Sequence, residues 1–240
     1  MRSSIGGGGP SFWKTVIAPV MTARVGAAST FDHAASARLG AVLLYNSPIS
    51  GNCYKVRLLL AHLGLPYETS FVDAVDRTQK RDQLDGLSPS RRVPTLVLDD
   101  GRPLAESNAI LWYLGEGTRF VPRDAYARAQ MLQWMFWEQY DHEPAIAVLR
   151  FLKTYSGRPD WYEAQRDHLH KRGVKALDAM ERHLEARLWF AGDAMSLADI
   201  VLYAYTHAAD EGGFELEPYR AVRTWLSRVA AEPGHVPIDA

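Results

Sequence analysis

Three short stretches of the chain carry residue types that could bind and activate a small peptide-like molecule. The first is Ser50-Gly51-Asn52-Cys53, which sets a hydroxyl, an amide and a thiol between a short apolar run and a helical pattern. Free amides at a helix N-terminus favour negative charge and lower the pKa of a nearby thiol, so thiolate chemistry suits this stretch. The second is Arg91-Arg92-Val93-Pro94-Thr95-Leu96, where a proline opens a strand. Proline has no amide to pair, and an X-Pro bond can be cis. A cis bond there would turn the Val93 amide and carbonyl outward, ready to pair with an extended peptide as an added strand does. The third is Glu106-Ser107-Asn108-Ala109-Ile110, with an acid next to a helix start. The helix N-terminus suits a carboxylate and Glu106 suits an ammonium, so the two together offer both halves of an α-amino-acid receptor.

Each stretch also has a purely structural reading. Val-Pro can be a strand edge, Ser107 a plain N-cap, and Cys53 a small buried hydrophobe. Cys53 is the single cysteine, which excludes an internal disulfide and a dithiol cycle and favours a reducing, cytoplasmic compartment. The eight histidines show no ligand spacing: His168 and His170 are two apart, and His142 lies beside Asp141 and Glu143. No metal site is expected. With 27 basic and 28 acidic side chains the net charge is −1, so no footprint for nucleic acid or an anionic membrane is present. No apolar run is long enough for a transmembrane helix.

The elements that must position these stretches follow from pattern. At 240 residues the chain suggests one or two domains, and its 47% hydrophobic content supports a packed core. Residues 1–40, with four glycines at 6–9 and Asp32 as their only acid, read as a flexible tail or leader. Strand patterns occupy 41–45, 67–72, 95–98 and 102–104; helical patterns occupy 52–63, 78–87 and 107–115. The order is β-α-β-α-β-β-α, parallel at first and antiparallel across the Asp99-Asp100-Gly101 turn. After a linker at 118–122, residues 123–240 are helical, with segments at 125–155, 161–188, 197–209 and 219–231. A domain at 41–117 and a second at 123–240 are therefore expected.

From residue 41 onward the sequence resembles the soluble glutathione transferases. The likeness rests on Val93-Pro94-Thr95-Leu96, on Glu106-Ser107-Asn108-Ala109-Ile110 and on Gly192-Asp193-Ala194-Met195-Ser196-Leu197-Ala198-Asp199-Ile200. In the last stretch Ser196 and Asp199 match the family's helix-capping box. The resemblance implies an α/β thioredoxin-like domain with a mixed four-stranded sheet, then an all-α domain. It implies a homodimeric transferase acting in detoxification. Glutathione would be its co-substrate, with no permanent cofactor, and a small hydrophobic electrophile would bind between the domains. Carried over by residue, Val93 before Pro94 pairs with the cysteinyl unit. Glu106 and Ser107 hold the γ-glutamyl end, and Arg92 stands where a glycyl-carboxylate contact is often found. Ser50 is the leading candidate to activate the thiol, with Cys53, Asn52 and Tyr45 as alternates. Trp134, Phe136, Trp137 and Tyr140 are expected to divide between core and cleft.

Other readings stay beside this one. Residues 50–57 share a serine and Val56-Arg57 with the maleylacetoacetate isomerase motif but lack its serine-serine-cysteine core and its tryptophan. A dehalogenase-like enzyme, or a glutathione-binding module without activity, fits the same fold.

Overall fold

A computed structural model describes residues 40–75, 82–155 and 162–240. The tail expected at 1–40 therefore lies almost wholly outside the described residues, as does the first part of the helix expected at 78–87.

The first half is a four-stranded mixed sheet with helices on it. Strand β1 (Val42–Asn46) alternates buried and half-buried residues, as a strand facing a core must. Helix α1 (Gly51–Leu63) follows and ends at Gly64, whose φ of 65° is left-handed. There the Leu65 amide closes onto the Leu60 carbonyl at 3.0 Å. Strand β2 (Tyr67–Phe71) pairs parallel to β1. Strand β3 (Thr95–Val97) pairs antiparallel to β1, and β4 (Pro103–Ala105) antiparallel to β3. The spatial order is β2-β1-β3-β4. Helix α2 (Ser107–Gly115) leaves the end of β4.

Beyond it the chain is helical. Helix α3 (Ala125–Trp137) runs through a π-helical turn (Glu138–His142) into α4 (Glu143–Thr154). Helices α5 (Tyr162–Leu184), α6 (Leu197–Thr206) and α7 (Arg220–Ala230) complete it. The helix expected as one piece over 125–155 is thus interrupted where an i→i+5 bond replaces the usual pattern: the Glu143 amide donates to the Glu138 carbonyl. No helix among the described residues is long and apolar enough to cross a membrane.

The two halves share one core because α1 is covered on both sides. It packs against α2 beside the sheet and against α6 of the helical half. The start of α6 is fixed by the capping box the sequence led one to expect, with Ser196 at the N-cap and Asp199 at N3. The Asp199 carboxylate accepts from the Ser196 amide at 2.9 Å, the Phe190 amide at 3.2 Å and the Trp225 indole at 3.0 Å. Burial still pushes its carboxyl up to about 6. Leu197, the first residue of α6, donates its amide to the Phe120 carbonyl at 3.0 Å, joining α6 to the connection after α2.

Two histidines are buried in neutral form. His142 is fully buried and meets Thr206 Oγ1 at 2.9 Å, and burial pushes its pKa down to about 3. His62 meets the Pro233 carbonyl at 2.9 Å and is pushed down to about 4 by the same cause. Both folded values lie below the ordinary one near 6.5. Their contribution to stability is therefore whole above about pH 6.5 and is lost as the pH falls toward 4 and then 3. At pH 5, unfolding is expected to take up about one proton more in the native sequence than in His142→Gln. Calorimetry in buffers of different ionisation enthalpy measures this, and equal uptake by the two proteins would show that His142 is not held neutral.

Candidate active site

The sheet register brings the three stretches together. Tyr45 of β1, Thr95 of β3 and Ala105 of β4 lie in one row across the sheet. The chain leaves β1 after Asn46, enters β3 at Thr95 and leaves β4 after Ala105. Ser50, Val93 and Glu106 therefore emerge at the same end of the strands. Two strand spacings cover about 10 Å, and three extended residues span about the same length.

At the first position Ser50 caps α1. Its Oγ accepts from the Cys53 amide at 3.3 Å, and it donates to nothing among the described residues. Cys53 is fully buried, and its Sγ accepts the Ser47 amide at 3.4 Å. Cys53 is thus part of the core, whereas Ser50 is half-buried. Gly51 permits a close approach from the helical half: a Cβ there would lie 2.3 Å from the Tyr205 ring. The Tyr205 hydroxyl accepts from the Asn52 amide at 3.1 Å, and burial holds its pKa well above the ordinary value, so it stays a neutral phenol. Tyr45 lies within the strand row, half-buried.

At the second position the Val93–Pro94 bond is cis. The Val93 amide and carbonyl have no hydrogen-bond partner among the described residues, while the flanking loop is tied by Thr95 Oγ1 donating to the Arg92 carbonyl at 2.9 Å. The Arg92 side chain is exposed. At the third position Glu106 has φ 69° and ψ 115°, a conformation that costs a non-glycine residue about 1–3 kcal/mol. Its side chain is exposed, and Ser107 behind it is buried.

Beneath this end of the sheet lies a buried polar ring that sequence reasoning missed. Ser107 Oγ donates to Asn52 Oδ1 at 3.1 Å, and Asn52 Nδ2 donates to Glu143 Oε1 at 2.7 Å. Lys55 Nζ lies 2.8 Å from Glu138 Oε1 and 3.6 Å from Glu143 Oε2, with no exposed side-chain surface on Lys55 or Glu138. Asn108 Nδ2 closes the ring, 3.4 Å from Glu138 Oε2 and 2.9 Å from the Met135 carbonyl. Burial pushes the Glu138 carboxyl above its usual range, and the Lys55 ammonium pulls against that. The π turn explains how two acids five residues apart serve one ammonium. On a regular helix they would point about 140° apart, and the i→i+5 turn restacks them. One signal was available: Lys55 lies four residues before Leu59, on the apolar stripe of α1. Arg150 likewise falls on the stripe of Ile146 and Leu149.

The aromatic residues expected to divide between core and cleft fall into a packed pair and an exposed pair. Trp134 packs into the helical core, 4.8 Å from both His183 and Phe190 and 5.0 Å from Trp137. Phe136 and Tyr140 are exposed. A depression of 660 Å³ borders β4, lined by residues 85–89, Arg91 and residues 103–106. It shares Glu106 with the site and includes none of Ser50, Val93 and Ser107. Among the described residues no cluster of three His, Cys, Asp or Glu could hold a metal ion.

Comparison with known proteins decides the family. The glutathione S-transferase N-terminal domain matches residues 49–116 and the C-terminal domain of the same family matches residues 145–233. The chain belongs to the glutathione S-transferase family. Glutathione S-transferase 3 of Zea mays is 31% identical over 204 residues, covering 79% of this chain and 89% of the relative. The disulfide-bond oxidoreductase YfcG of Escherichia coli is 29% identical over 197 residues, covering 79% and 90%. A crystal structure of glutathione S-transferase from Pseudomonas fluorescens Pf-5 is 46% identical with a TM-score of 0.79, over 82% of this chain and 98% of that one. The activity is that of a glutathione transferase, with glutathione as co-substrate.

The buried ring generates a stability prediction. Lys55→Met leaves Glu138 without its counter-charge and is expected to destabilise the protein by roughly 3–5 kcal/mol in urea unfolding. Lys55→Met combined with Glu138→Leu should recover much of that loss. A single variant within about 1 kcal/mol of the native protein would show that the pair is not held dry.

Proposed function

We propose that the Ser50 hydroxyl activates glutathione in this transferase. Its proton is uncommitted, its oxygen sits at the N-terminus of α1, and donation to the sulfur favours thiolate over thiol. Asn52 is a weaker candidate because Glu143 and Ser107 engage both ends of its amide. Cys53 is weaker still, its thiol being buried. The glutathione cysteinyl unit pairs with the Val93 backbone beside Pro94. Its ammonium meets Glu106, and its γ-glutamyl carboxylate meets Ser107 and the first amides of α2. Arg92 reaches the glycyl carboxylate. The observation that carries this reading is the strand row, since it supports a single extended tripeptide touching all three positions.

The thiolate then attacks a small hydrophobic electrophile lying between the domain of residues 41–117 and that of residues 123–240. It forms the carbon–sulfur bond and expels the leaving group. A disulfide is the second substrate class, favoured by the likeness to a disulfide-bond oxidoreductase. With Cys53 buried, that reaction runs on glutathione: the thiolate attacks one sulfur of the disulfide and releases the other as a thiolate. The homodimer, the cytoplasmic setting and a role in detoxification are part of the same proposal. Exposed Tyr113, Tyr126 and Phe136 on α2 and α3 support a self-association face.

Two measurements test the site. Ser50→Ala is expected to lower kcat for an aryl halide at pH 6.5 about tenfold or more and to move the pH profile upward by about one unit, with little change in glutathione KM. A shift produced by Asn52→Ala but not by Ser50→Ala would transfer the role to Asn52. Glu106→Ala should weaken glutathione binding about tenfold by calorimetry, and unchanged affinity would remove its ammonium-binding role.

A further inference from the structure

The loop before Ser50 is gripped from behind by two buried guanidinium groups. Arg57 and Arg150 are each 4% exposed. Arg57 Nη1 donates to Asn46 Oδ1 at 2.7 Å and lies 3.5 Å from the Ser47 carbonyl; its Nη2 lies 3.4 Å from the Pro48 carbonyl. Arg150 Nη1 donates to the Ile49 carbonyl at 2.9 Å. Three consecutive carbonyls leading to the cap of α1 thus face a guanidinium, one supplied by α1 and the other by α4.

The two groups are anchored differently. Arg150 is held by Glu211 Oε2 at 2.8 Å and by the Tyr155 hydroxyl at 3.1 Å. Arg57 has no carboxylate within ion-pair distance among the described residues; its fourth acceptor is the Ile238 carbonyl. That carbonyl belongs to a strap that runs along α1. The Tyr54 hydroxyl donates to the Val236 carbonyl at 2.7 Å and His62 meets the Pro233 carbonyl at 2.9 Å. Gly234 lies flat on the helix at φ 87°, where a Cβ would come 3.0 Å from His62 Cα. A buried cation needs oriented dipoles when it lacks a counter-ion. The strap and the loop supply them jointly, so the position of one constrains the other.

We propose that Arg57 and Arg150 are positioning residues of the transferase reaction, fixing the loop of residues 46–50 so that the Ser50 hydroxyl meets the glutathione sulfur, with residues 233–238 as the strap that completes the grip. The proposal rests on the Ser50 reading above. Neither arginine touches the sulfur; each acts through the loop.

The test is the ultraviolet titration of the thiolate of glutathione bound to the full chain, with affinity measured separately by calorimetry. Arg57→Met and Arg150→Met are expected to raise the titration midpoint by about one unit while glutathione affinity changes less than about threefold. Gly234→Val lifts the strap and leaves both arginines in place, so it should raise the midpoint in the same direction; it also serves if Arg57→Met fails to fold. Because the arginines act through Ser50, Ser50→Ala combined with Arg57→Met should shift no further than Ser50→Ala alone. Unmoved midpoints in folded Arg150→Met and Gly234→Val would overturn the proposal, as would full additivity in the double variant. A midpoint unmoved in Ser50→Ala itself would instead refute the Ser50 assignment, so the two failures read out in different proteins.

Discussion

Lys55 carries a charge with no exposed side-chain surface, and its ammonium is 2.8 Å from a carboxylate on the other half of the molecule. A pair of this kind gains little net free energy over an apolar contact, but either partner alone would be strongly unfavourable. It therefore acts as a constraint on geometry more than as a source of stability. The sheet half and the helical half can dock with Glu138 facing Lys55, and other arrangements leave a bare charge in the core. The π turn belongs to the same constraint, because it presents Glu138 and Glu143 together. From Glu143 the ring continues through Asn52 to Ser107, so the docking of the helices is felt at the helix start behind Glu106.

Around the site most polar groups that face inward find partners, Asn108 Oδ1 excepted, while three that face outward do not. Asn52, Ser107, Tyr205, Thr95 and Cys53 all have partners within the fold. The Ser50 proton, the Val93 backbone and the Glu106 carboxylate have none among the described residues. A buried donor or acceptor left unpaired is costly, whereas one at a solvent-facing edge exchanges water for ligand. The same division accounts for the backbone of Glu106. Its positive φ turns the exposed carboxylate to one side of the chain while Ser107 enters the buried ring behind it, and the packing of α2 keeps it there.

Much of this was legible in the sequence because it depends on local pattern. The β1–α1–β2 unit, the Asp-Gly hairpin, the cap at Gly64 and the Ser196–Asp199 box all have short-range signatures that the fold repeats within a residue or two. The buried charges were not legible. Lys55 and Glu138 are 83 residues apart in the chain, and a lone lysine on an apolar stripe reads equally as a side chain that reaches out to water. The π turn has no local signature either; from helical spacing alone, residues 125–155 form one helix. The aromatic residues show the same limit. Trp134 and Phe136 look alike in sequence, but one packs on His183 and Phe190 while the other is exposed, and only the phase of the helix against its neighbours decides which.

Asn52 shows how close a sequence reading can come to a site while leaving the role open. It lies between the cap residue Ser50 and the buried Cys53 at the start of α1. Its amide bridges two polar groups that arrive from different parts of the chain, one of them across the domain junction. An amide committed at both ends transmits position well, because a shift at Glu143 must be taken up by Ser107 or break a bond. The Ser50 hydroxyl, two residues earlier, is tied only through its oxygen, and its proton has no acceptor among the described residues. Two residues at one helix start thus differ in commitment: the Asn52 amide is engaged at both ends within the fold, and the Ser50 hydroxyl is engaged through its oxygen alone.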